Sequence, residues 1–331
     1  GVEKSTGSIV ITEPAELTVA DITNAGNYCL NETPTALSTS ASGGNGDYTY
    51  QWQSSANHSD WINVGVNSST YTPSTSSAGT TYYRVKVSDD CVEVTLDYVT
   101  IIVESPSISS ITASADPSTL CVGKPATLSV SATGTGTVSY EWNTGATGTS
   151  TTVTPSVTTT YTVVATATTA GAGCVATAST TVIVSVEIPD IAGISDGDMV
   201  WSGNADGETW STDGNWILFD GTNYVAGSVP NSTTNVFLVT YGDGCSVGNP
   251  VLGGNSATKN LTIGEDKGLS LGSNTISIAG NLTNNGTFTA GTGSVIFNGN
   301  THQTISGSSL TFYNVTFNND NRAIIASYQL G

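Results

Sequence analysis

The sequence predicts an all-β protein in which tandem immunoglobulin-like β-sandwiches are followed by a β-solenoid-like module. The first observation is composition: Thr, Val, Ile and Tyr favour strands, Gly and Asn favour turns, and no long stretch has apolar residues at helical spacing. The second is a frame of cysteine, tryptophan and tyrosine that occurs twice. The third is a series of short strand-like triplets separated by Gly and Asn near the end of the chain.

Composition also limits the classes of partner. The 331 residues include 7 basic and 26 acidic side chains, a formal net charge of -19. A field of this sign repels nucleic acid and anionic lipid, because affinity for phosphate comes mainly from Lys and Arg. No run of 18 or more apolar residues occurs, so no membrane insertion is expected. We therefore expect neither nucleic acid nor a bilayer as a partner.

Two frames predict the sandwiches. In each, a strand-like phrase ends at a tryptophan, and a tyrosine-bearing strand comes before the second cysteine. The cysteines and tryptophans are Cys29, Trp52 and Cys91 in the first frame, and Cys121, Trp142 and Cys174 in the second. This order, with short alternating strands, is typical of an immunoglobulin-like sandwich whose tryptophan fills the space between two sheets.

The same four cysteines are expected to form disulfides. We expect one bridge in each frame, near the end of the sandwich, which would tie the second strand to the last hairpin; free buried thiols are the alternative. Disulfides indicate an oxidising compartment, so the sequence predicts an extracellular or cell-surface location. Cys245 is left over and is expected to be a small buried residue, with an intermolecular bridge as the alternative.

Short proline-bearing junctions at 104–108 and 187–193 follow strong strands and divide the chain. We expect a closing strand and linker of a preceding repeat at 1–20, sandwiches at 21–104 and 105–187, and a Trp/Gly/Asn-rich solenoid-like module at 188–331. The last module is expected to be truncated, and the chain to be a piece of a longer polypeptide.

The solenoid is predicted from strand-like triplets such as Leu261–Ile263, Ile276–Ile278 and Val295–Phe297. Gly and Asn separate these triplets at roughly even steps. Such spacing suggests coils that stack on one another to bury a shared core. A further sandwich or jelly roll is the alternative.

Two sets of residues in this region are candidate binding residues. Flexible acidic loops can supply the oxygen ligands of calcium, although turn formation is the alternative role of such carboxylates. The candidate calcium ligands are Asp196, Asp198, Asp206, Glu208 and Asp213.

Tryptophan rings can stack on sugar rings, although core packing is the alternative. The candidate stacking residues are Trp201, Trp210 and Trp216, and the same two roles stay open for Trp61 in the first frame.

Catalysis is not expected. The two histidines, His58 and His302, lie in polar stretches that are typical of loops, and no nucleophile elbow, zinc spacing or phosphate-binding glycine motif occurs. The sequence therefore predicts a protein that is not an enzyme, with no catalytic and no cofactor-binding residue. Calcium is the one ion that it suggests.

Several phrases resemble one family. The phrase at 7–19 looks like the closing strand and linker of repeats in the giant gliding-motility adhesins of Bacteroidota. The stretches at 50–85 and 140–163 resemble immunoglobulin-like modules of the same surface proteins, and those at 200–216 and 281–288 resemble their β-helical modules. The resemblance spans nearly the whole chain, and such modules also recur in unrelated exported proteins.

The resemblance implies export by type IX secretion, anchoring at the outer cell surface, and a role in adhesion or gliding. We therefore expect a non-catalytic segment of a large secreted surface adhesin that extends or presents binding regions. Its expected partners are neighbouring modules of the same chain, surface glycans, and the secretion or gliding machinery. The alternative is a glycan-binding accessory region of a secreted multidomain enzyme.

Overall fold

A computed structural model describes residues 13–242, 245, 247–308 and 310–319, and the backbone of the strand Ile324–Ala326. The described residues contain strands, turns and one short 3-10 helix, Asp213–Asn215, and no α-helix. The all-β prediction is confirmed. Most of the predicted closing segment at 1–20 lies outside the described residues. No helix in the described part of the chain is long and apolar enough to cross a bilayer.

The first module consists of short strands around one long central strand. Its strands are β1 (Thr18–Val19), β2 (Gly26–Cys29), β3 (Leu37–Ser38), β4 (Ala41–Ser42), β5 (Thr49–Ser55), β6 (Ile62–Val64), β7 (Thr70–Tyr71), β8 (Gly79–Ser88), β9 (Glu93–Thr95) and β10 (Val99–Glu104). The main sheet has the order β2-β10-β8-β5-β6, with β9 paired to β8. Two-stranded pairs β1-β4 and β3-β7 complete the module.

Alternation along the strands builds the core of this module. On β8, Tyr83, Val85 and Val87 are buried, whereas the intervening side chains are partly exposed. These residues pack with Trp52 of β5, which is fully buried and whose indole Nε1 donates to the carbonyl of Ser68 at 2.9 Å. Trp52 therefore fills the core, as the frame predicts.

The second module has longer strands in two sheets. Its strands are β11 (Ser107–Asp116), β12 (Thr119–Cys121), β13 (Ala126–Thr135), β14 (Thr137–Trp142), β15 (Ser150–Val153), β16 (Thr159–Thr168) and β17 (Val175–Glu187). One sheet has the order β11-β13-β15 and the other β12-β17-β16-β14. Trp142 is buried, and its indole donates to the carbonyl of Gly148 at 3.3 Å.

The third module begins with an antiparallel group and continues as parallel coils. Its strands are β18 (Met199–Trp201), β19 (Trp216–Phe219), β20 (Tyr224–Ala226), β21 (Val236–Leu238), β22 (Ser256–Thr258), β23 (Leu261–Ile263), β24 (Gly268–Ser270), β25 (Thr275–Ile278), β26 (Leu282–Asn284), β27 (Thr287–Thr289), β28 (Ser294–Phe297), β29 (Gln303–Gly307), β30 (Asn314–Phe317) and β31 (Ile324–Ala326). The longest sheet runs β20-β19-β18-β21-β23-β26-β29-β31, and the pairings from β18 to β21 onward are parallel.

Successive coils repeat in register. Leu261 pairs with Leu282, which in turn pairs with Ile305, so identical core positions stack on one another. A second parallel sheet, β22-β25-β28-β30, faces the same buried cluster of aliphatic and aromatic side chains. A Cβ on Gly286 would lie 2.1 Å from the carbonyl oxygen of Lys267, so the turn between two coils requires glycine. The β-solenoid prediction is confirmed.

The chain forms two compact units. Among the described residues, one comprises 13–111, 132–140 and 164–179; the other comprises 112–131, 141–163 and those from 180 onward. Long strands of the second module, such as β13 and β16, contribute to both units. Part of the predicted second module is thus grouped with the first module, and the remainder with the third.

Candidate functional site

The first disulfide links two predicted modules within the first compact unit. Cys29, at the end of β2, is bonded to Cys174, which immediately precedes β17 in the hairpin after β16. The two Cα atoms are 5.5 Å apart, and 145 positions separate the residues in sequence. A bridge that closes a loop of this length stabilises the fold by about 5 kcal/mol in the chain-entropy model. The hairpin of the second module is thus covalently attached to the first.

Glu104 reinforces this joint. Its carboxylate accepts hydrogen bonds from the hydroxyl of Thr169, from the backbone N–H of Ala172 at 2.8 Å, and from the side-chain amide of Asn27 at 3.4 Å. The Thr169 hydroxyl, followed by the Ala172 N–H, lowers the pKa of Glu104 below its ordinary value. A Cβ on Gly171 would lie 1.8 Å from the amide nitrogen of Asn27 and 2.2 Å from a carboxylate oxygen of Glu104, so an alanine there would displace both side chains from this joint. Glu104 therefore anchors the same hairpin that Cys174 attaches.

The second disulfide lies within the second compact unit. Cys121, at the end of β12, is bonded to Cys245, which is buried in the third module, and the Cα atoms are 5.4 Å apart. Beside this bridge the side-chain amide of Asn204 donates to the carbonyl of Val122 at 2.9 Å, and the ammonium group of Lys124 donates to the carbonyl of Asn204. The second and third modules are thus joined by a covalent bond and by hydrogen bonds.

The predicted pairing within each frame is wrong, and Cys91 is an exposed free cysteine. The reason is strand direction. Cys29 on β2 lies opposite Glu104 on β10, and the preceding residue of β10 lies opposite Gly79, the first residue of β8. Cys91 instead comes after the last residue of β8. At about 3.3 Å per residue the strand separates these ends by roughly 30 Å, far beyond the Cα spacing of a disulfide.

The same argument holds for the second frame. β12 pairs in parallel with the end of β17, so Cys121 lies opposite Glu187. Cys174 precedes the first residue of that 13-residue strand. Cys121 is therefore opposite the last residue of β17, whereas Cys174 comes before its first residue. Cys245 is buried, as expected, but as half of an intramolecular bridge. The two disulfides fit an extracellular or secreted protein.

The three candidate stacking residues form part of the core of the third module. Trp201, Trp210 and Trp216 are at most 1% exposed. The ring of Trp216 meets those of Trp201 and Trp210 edge to face, at centroid distances of 5.1 and 4.7 Å. The indole of Trp216 also donates to the carbonyl of Trp210 at 2.8 Å. Because the rings are buried, the predicted stacking on glycans at these residues is wrong, and core packing is their role.

Asp206 organises a turn. Its carboxylate accepts hydrogen bonds from the backbone N–H groups of Thr209 at 2.8 Å and Glu208 at 2.9 Å, and from the side-chain amide of Asn215. These donors, Thr209 first, hold the pKa of Asp206 well below its ordinary value. Glu208 itself is exposed. Asp206 therefore remains ionised and serves the backbone of its own loop.

The other candidate calcium ligands are dispersed. Asp198 is buried and accepts from the N–H of Ser195 at 2.8 Å and the side-chain amide of Asn235 at 2.7 Å. Asp213 accepts from the N–H of Val229 at 2.8 Å, and Asp196 is exposed. Within the described ranges, no group of three or more His, Cys, Asp or Glu side chains could hold a metal. A calcium site stays a prediction. In the structure the carboxylates of Asp198, Asp206 and Asp213 accept hydrogen bonds from backbone N–H groups.

Comparison with known proteins gives one family match. Residues 18–105 match the model of a domain of unknown function, DUF8696. None of the curated proteins matches the chain.

Solved structures to which part of the chain is similar include Ig domains and fibronectin(III)-like modules. A structure on Dscam isoform specificity is 15% identical with a TM-score of 0.26, over 53% of this chain and 46% of that one. The four N-terminal Ig domains of Dscam1 isoform 7.44 are 16% identical with a TM-score of 0.24, over 54% of this chain and 48% of that one. The fibronectin(III)-like modules of Clostridium thermocellum CbhA are 10% identical with a TM-score of 0.25, over 52% of this chain and 95% of that one. The chain spans about half the length of these Dscam structures.

Proposed function

We propose that this chain is a non-catalytic segment of a large secreted bacterial surface adhesin of the Bacteroidota gliding type. It extends or presents binding regions that attach the cell to a surface. The observation that supports the proposal is the pair of disulfides, Cys29–Cys174 and Cys121–Cys245, each of which joins two predicted modules. A segment that holds a cell against flow carries tension, and these bridges place a covalent bond at each module boundary.

The chemistry of the titratable groups supports a non-catalytic role. Glu104 and Asp206, two carboxyl groups with lowered pKa values, are occupied by hydrogen bonds to their own joint or turn. A catalytic acid or base would instead need a pKa near the working pH and access to a substrate. We therefore assign these groups to structure, and the attachment chemistry to binding regions that the segment presents.

The test is retention of cells under flow. The chain is displayed on bacterial cells with an affinity tag at its outer end, and the cells are captured on a tag-binding surface. We compare the parent with the double variant Cys29→Ser/Cys245→Ser, and use Cys91→Ser as the matched control because that thiol is free.

We expect all three to be captured equally at rest. With a protease added to the flow, the double variant alone should lose cells as shear rises, because its modules unfold under tension and are then cleaved. Equal retention of the double variant at every shear would contradict the proposed role of the bridges in resisting tension.

A further inference from the structure

One face of the main sheet in the first module has exposed aromatic residues. Tyr83, Val85 and Val87 of β8 point into the core, so Tyr82, Arg84 and the other alternate residues point outward. This outer face is opposite to the one that packs on Trp52. It belongs wholly to the first compact unit.

Four aromatic side chains gather at the edge of this face, and we call them the aromatic surface: His58, Trp61, Tyr82 and Tyr98. The ring of His58 is stacked on Tyr98 at 4.6 Å and meets Tyr82 edge to face at 3.7 Å. Trp61 is tilted against Tyr98 at 6.4 Å. Tyr98 is 46% exposed and His58 is also exposed. Aromatic rings of this kind, apolar on their faces and polar at one end, are enriched in binding interfaces.

The loop that carries two of these rings is fixed by its own hydrogen bonds. The side-chain oxygen of Asn57 accepts from the N–H groups of Ser59 at 3.0 Å and Asp60 at 2.9 Å. His58 has a φ of 67°, a left-handed conformation that is uncommon outside glycine and in which Asn, Asp and His are enriched among the other residues. The indole of Trp61 donates to the carbonyl of His58 at 3.0 Å. The rings are therefore held in place before any ligand arrives, which lowers the entropic cost of binding.

Polar groups flank the rings. The guanidinium of Arg84 lies 4.1 Å from the ring centroid of Trp61, and its Nε donates to the side-chain oxygen of Gln53 at 2.8 Å. Gln53 is buried and donates in turn to Asn63 at 2.8 Å. Among the described residues Arg84 forms no ion pair with a carboxylate. Its terminal amino groups are thus available to donate to a ligand, while Gln53 and Asn63 hold the guanidinium in place.

An open groove of about 400 Å³ adjoins Tyr98 and adds acceptors. Asp21, Thr95 and Asp97 are among its lining residues. The surface therefore combines aromatic ring faces, a guanidinium donor and carboxylate acceptors within one module. A sugar ring has this same combination, because its C–H faces are apolar and its rim of hydroxyl groups both donates and accepts.

We propose that the aromatic surface binds neutral sugar residues of an oligosaccharide or polysaccharide. Arg84 covers one face of Trp61 and His58 one face of Tyr98, so the opposite faces of these two rings stack on the sugar, while Arg84 and Asp97 hydrogen-bond its hydroxyl groups. Neutral sugars are favoured over acidic ones because the net charge of -19 and the carboxylates of the groove repel a polyanion. This site is separate from the three buried tryptophans of the third module, and an extending segment does not require it.

The location of Trp61 gives a direct readout. The other five tryptophans are at most 1% exposed, whereas Trp61 is half-buried, so acrylamide quenching of the native protein reports mainly on Trp61. We titrate the full chain with cellohexaose, xylohexaose and mannohexaose, and with a galacturonic acid oligomer as the acidic comparison. We expect at least one neutral oligosaccharide to reduce the quenching and to bind in calorimetry.

The variants separate stacking from general effects. Tyr98→Ala and Trp61→Ala should each weaken binding at least tenfold in calorimetry, whereas Tyr98→Phe, which keeps the ring, should change it less than threefold. Tyr313→Ala is the matched control, because Tyr313 is 63% exposed in the third module. Thermal unfolding confirms that each variant is folded. The proposal is overturned if no neutral oligosaccharide binds, if both alanine variants bind as well as the parent, or if only the acidic oligomer binds.

Discussion

When the chain is pulled from its two ends, the pairing of the cysteines determines the contour length of the unfolded protein. With both disulfides intact, the shortest covalent path from residue 29 to residue 245 crosses the first bridge, returns from Cys174 to Cys121, and crosses the second bridge. That path contains 53 residues (174 − 121), or about 180 Å at roughly 3.4 Å per extended residue. After reduction the same path contains 216 residues (245 − 29), or about 730 Å.

The assay is force spectroscopy on the full chain, with handles at both ends, before and after addition of a reductant. We expect the fully unfolded contour to lengthen by roughly 550 Å on reduction. In Cys29→Ser the path through the second bridge contains 92 residues (121 − 29), which gives about 310 Å without reductant. Cys91→Ser should match the parent, because Cys91 takes no part in either bridge.

One result would refute this reasoning. Bridges within each frame, Cys29–Cys91 and Cys121–Cys174, would leave 30 residues between the bridges (121 − 91) and 71 after them (245 − 174). The oxidised contour of the parent would then be about 340 Å. Cys91→Ser would lengthen it, and the modules would extend one after another with no disulfide between them.

Three further predictions concern stability. Gly171→Ala should lower the melting temperature, because its Cβ would clash with Asn27, whereas Gly26→Ala, with open space around the added Cβ, should not; calorimetry compares them. Trp216→Ala should destabilise the third module by about 3–5 kcal/mol in denaturant titration, as expected for a fully buried tryptophan. The pKa of Glu104 is lowered, so the stability that its hydrogen bonds contribute is present above the ordinary pKa of 4.5 and is lost as pH falls through the lowered pKa. Hydrogen exchange of the 169–174 hairpin should therefore rise at that acidic pH. Glu104→Gln should remove this pH dependence.

The sequence predicts the fold well because burial follows local patterns. Trp52, in the middle of β5, and Trp142, at the end of β14, are core residues because each belongs to a strand-like phrase that is visible in the sequence. The triplets Leu261–Ile263 and Val295–Phe297 form solenoid strands because Gly and Asn mark the turns between coils.

The disulfide pairing could not be predicted, because it depends on which strands are neighbours and in which direction they run. β2 lies parallel to β10 and next to it, although about 70 residues separate them in the chain, and this places Cys29 far from Cys91. Pro106 places Glu104 in a predicted junction, and nothing local signals that its carboxylate binds the Thr169 hairpin. The aromatic surface likewise depends on register, since His58 and Tyr98 meet only in the folded sheet.

The calcium hypothesis can be checked at little cost. Asp206 already accepts hydrogen bonds from its own loop, so we expect the melting temperature of the third module to be the same in calcium and in excess chelator. A shift of several degrees confined to that module would instead demonstrate a calcium site.

The measurement that tests the central claim most directly is a disulfide map of the unreduced protein. Free thiols are alkylated, the chain is digested without reductant, and linked peptides are identified by mass spectrometry. We predict Cys29 linked to Cys174, Cys121 linked to Cys245, and alkylation at Cys91 alone. Links from Cys29 to Cys91 and from Cys121 to Cys174, with alkylation at Cys245, would contradict the covalent coupling of the modules.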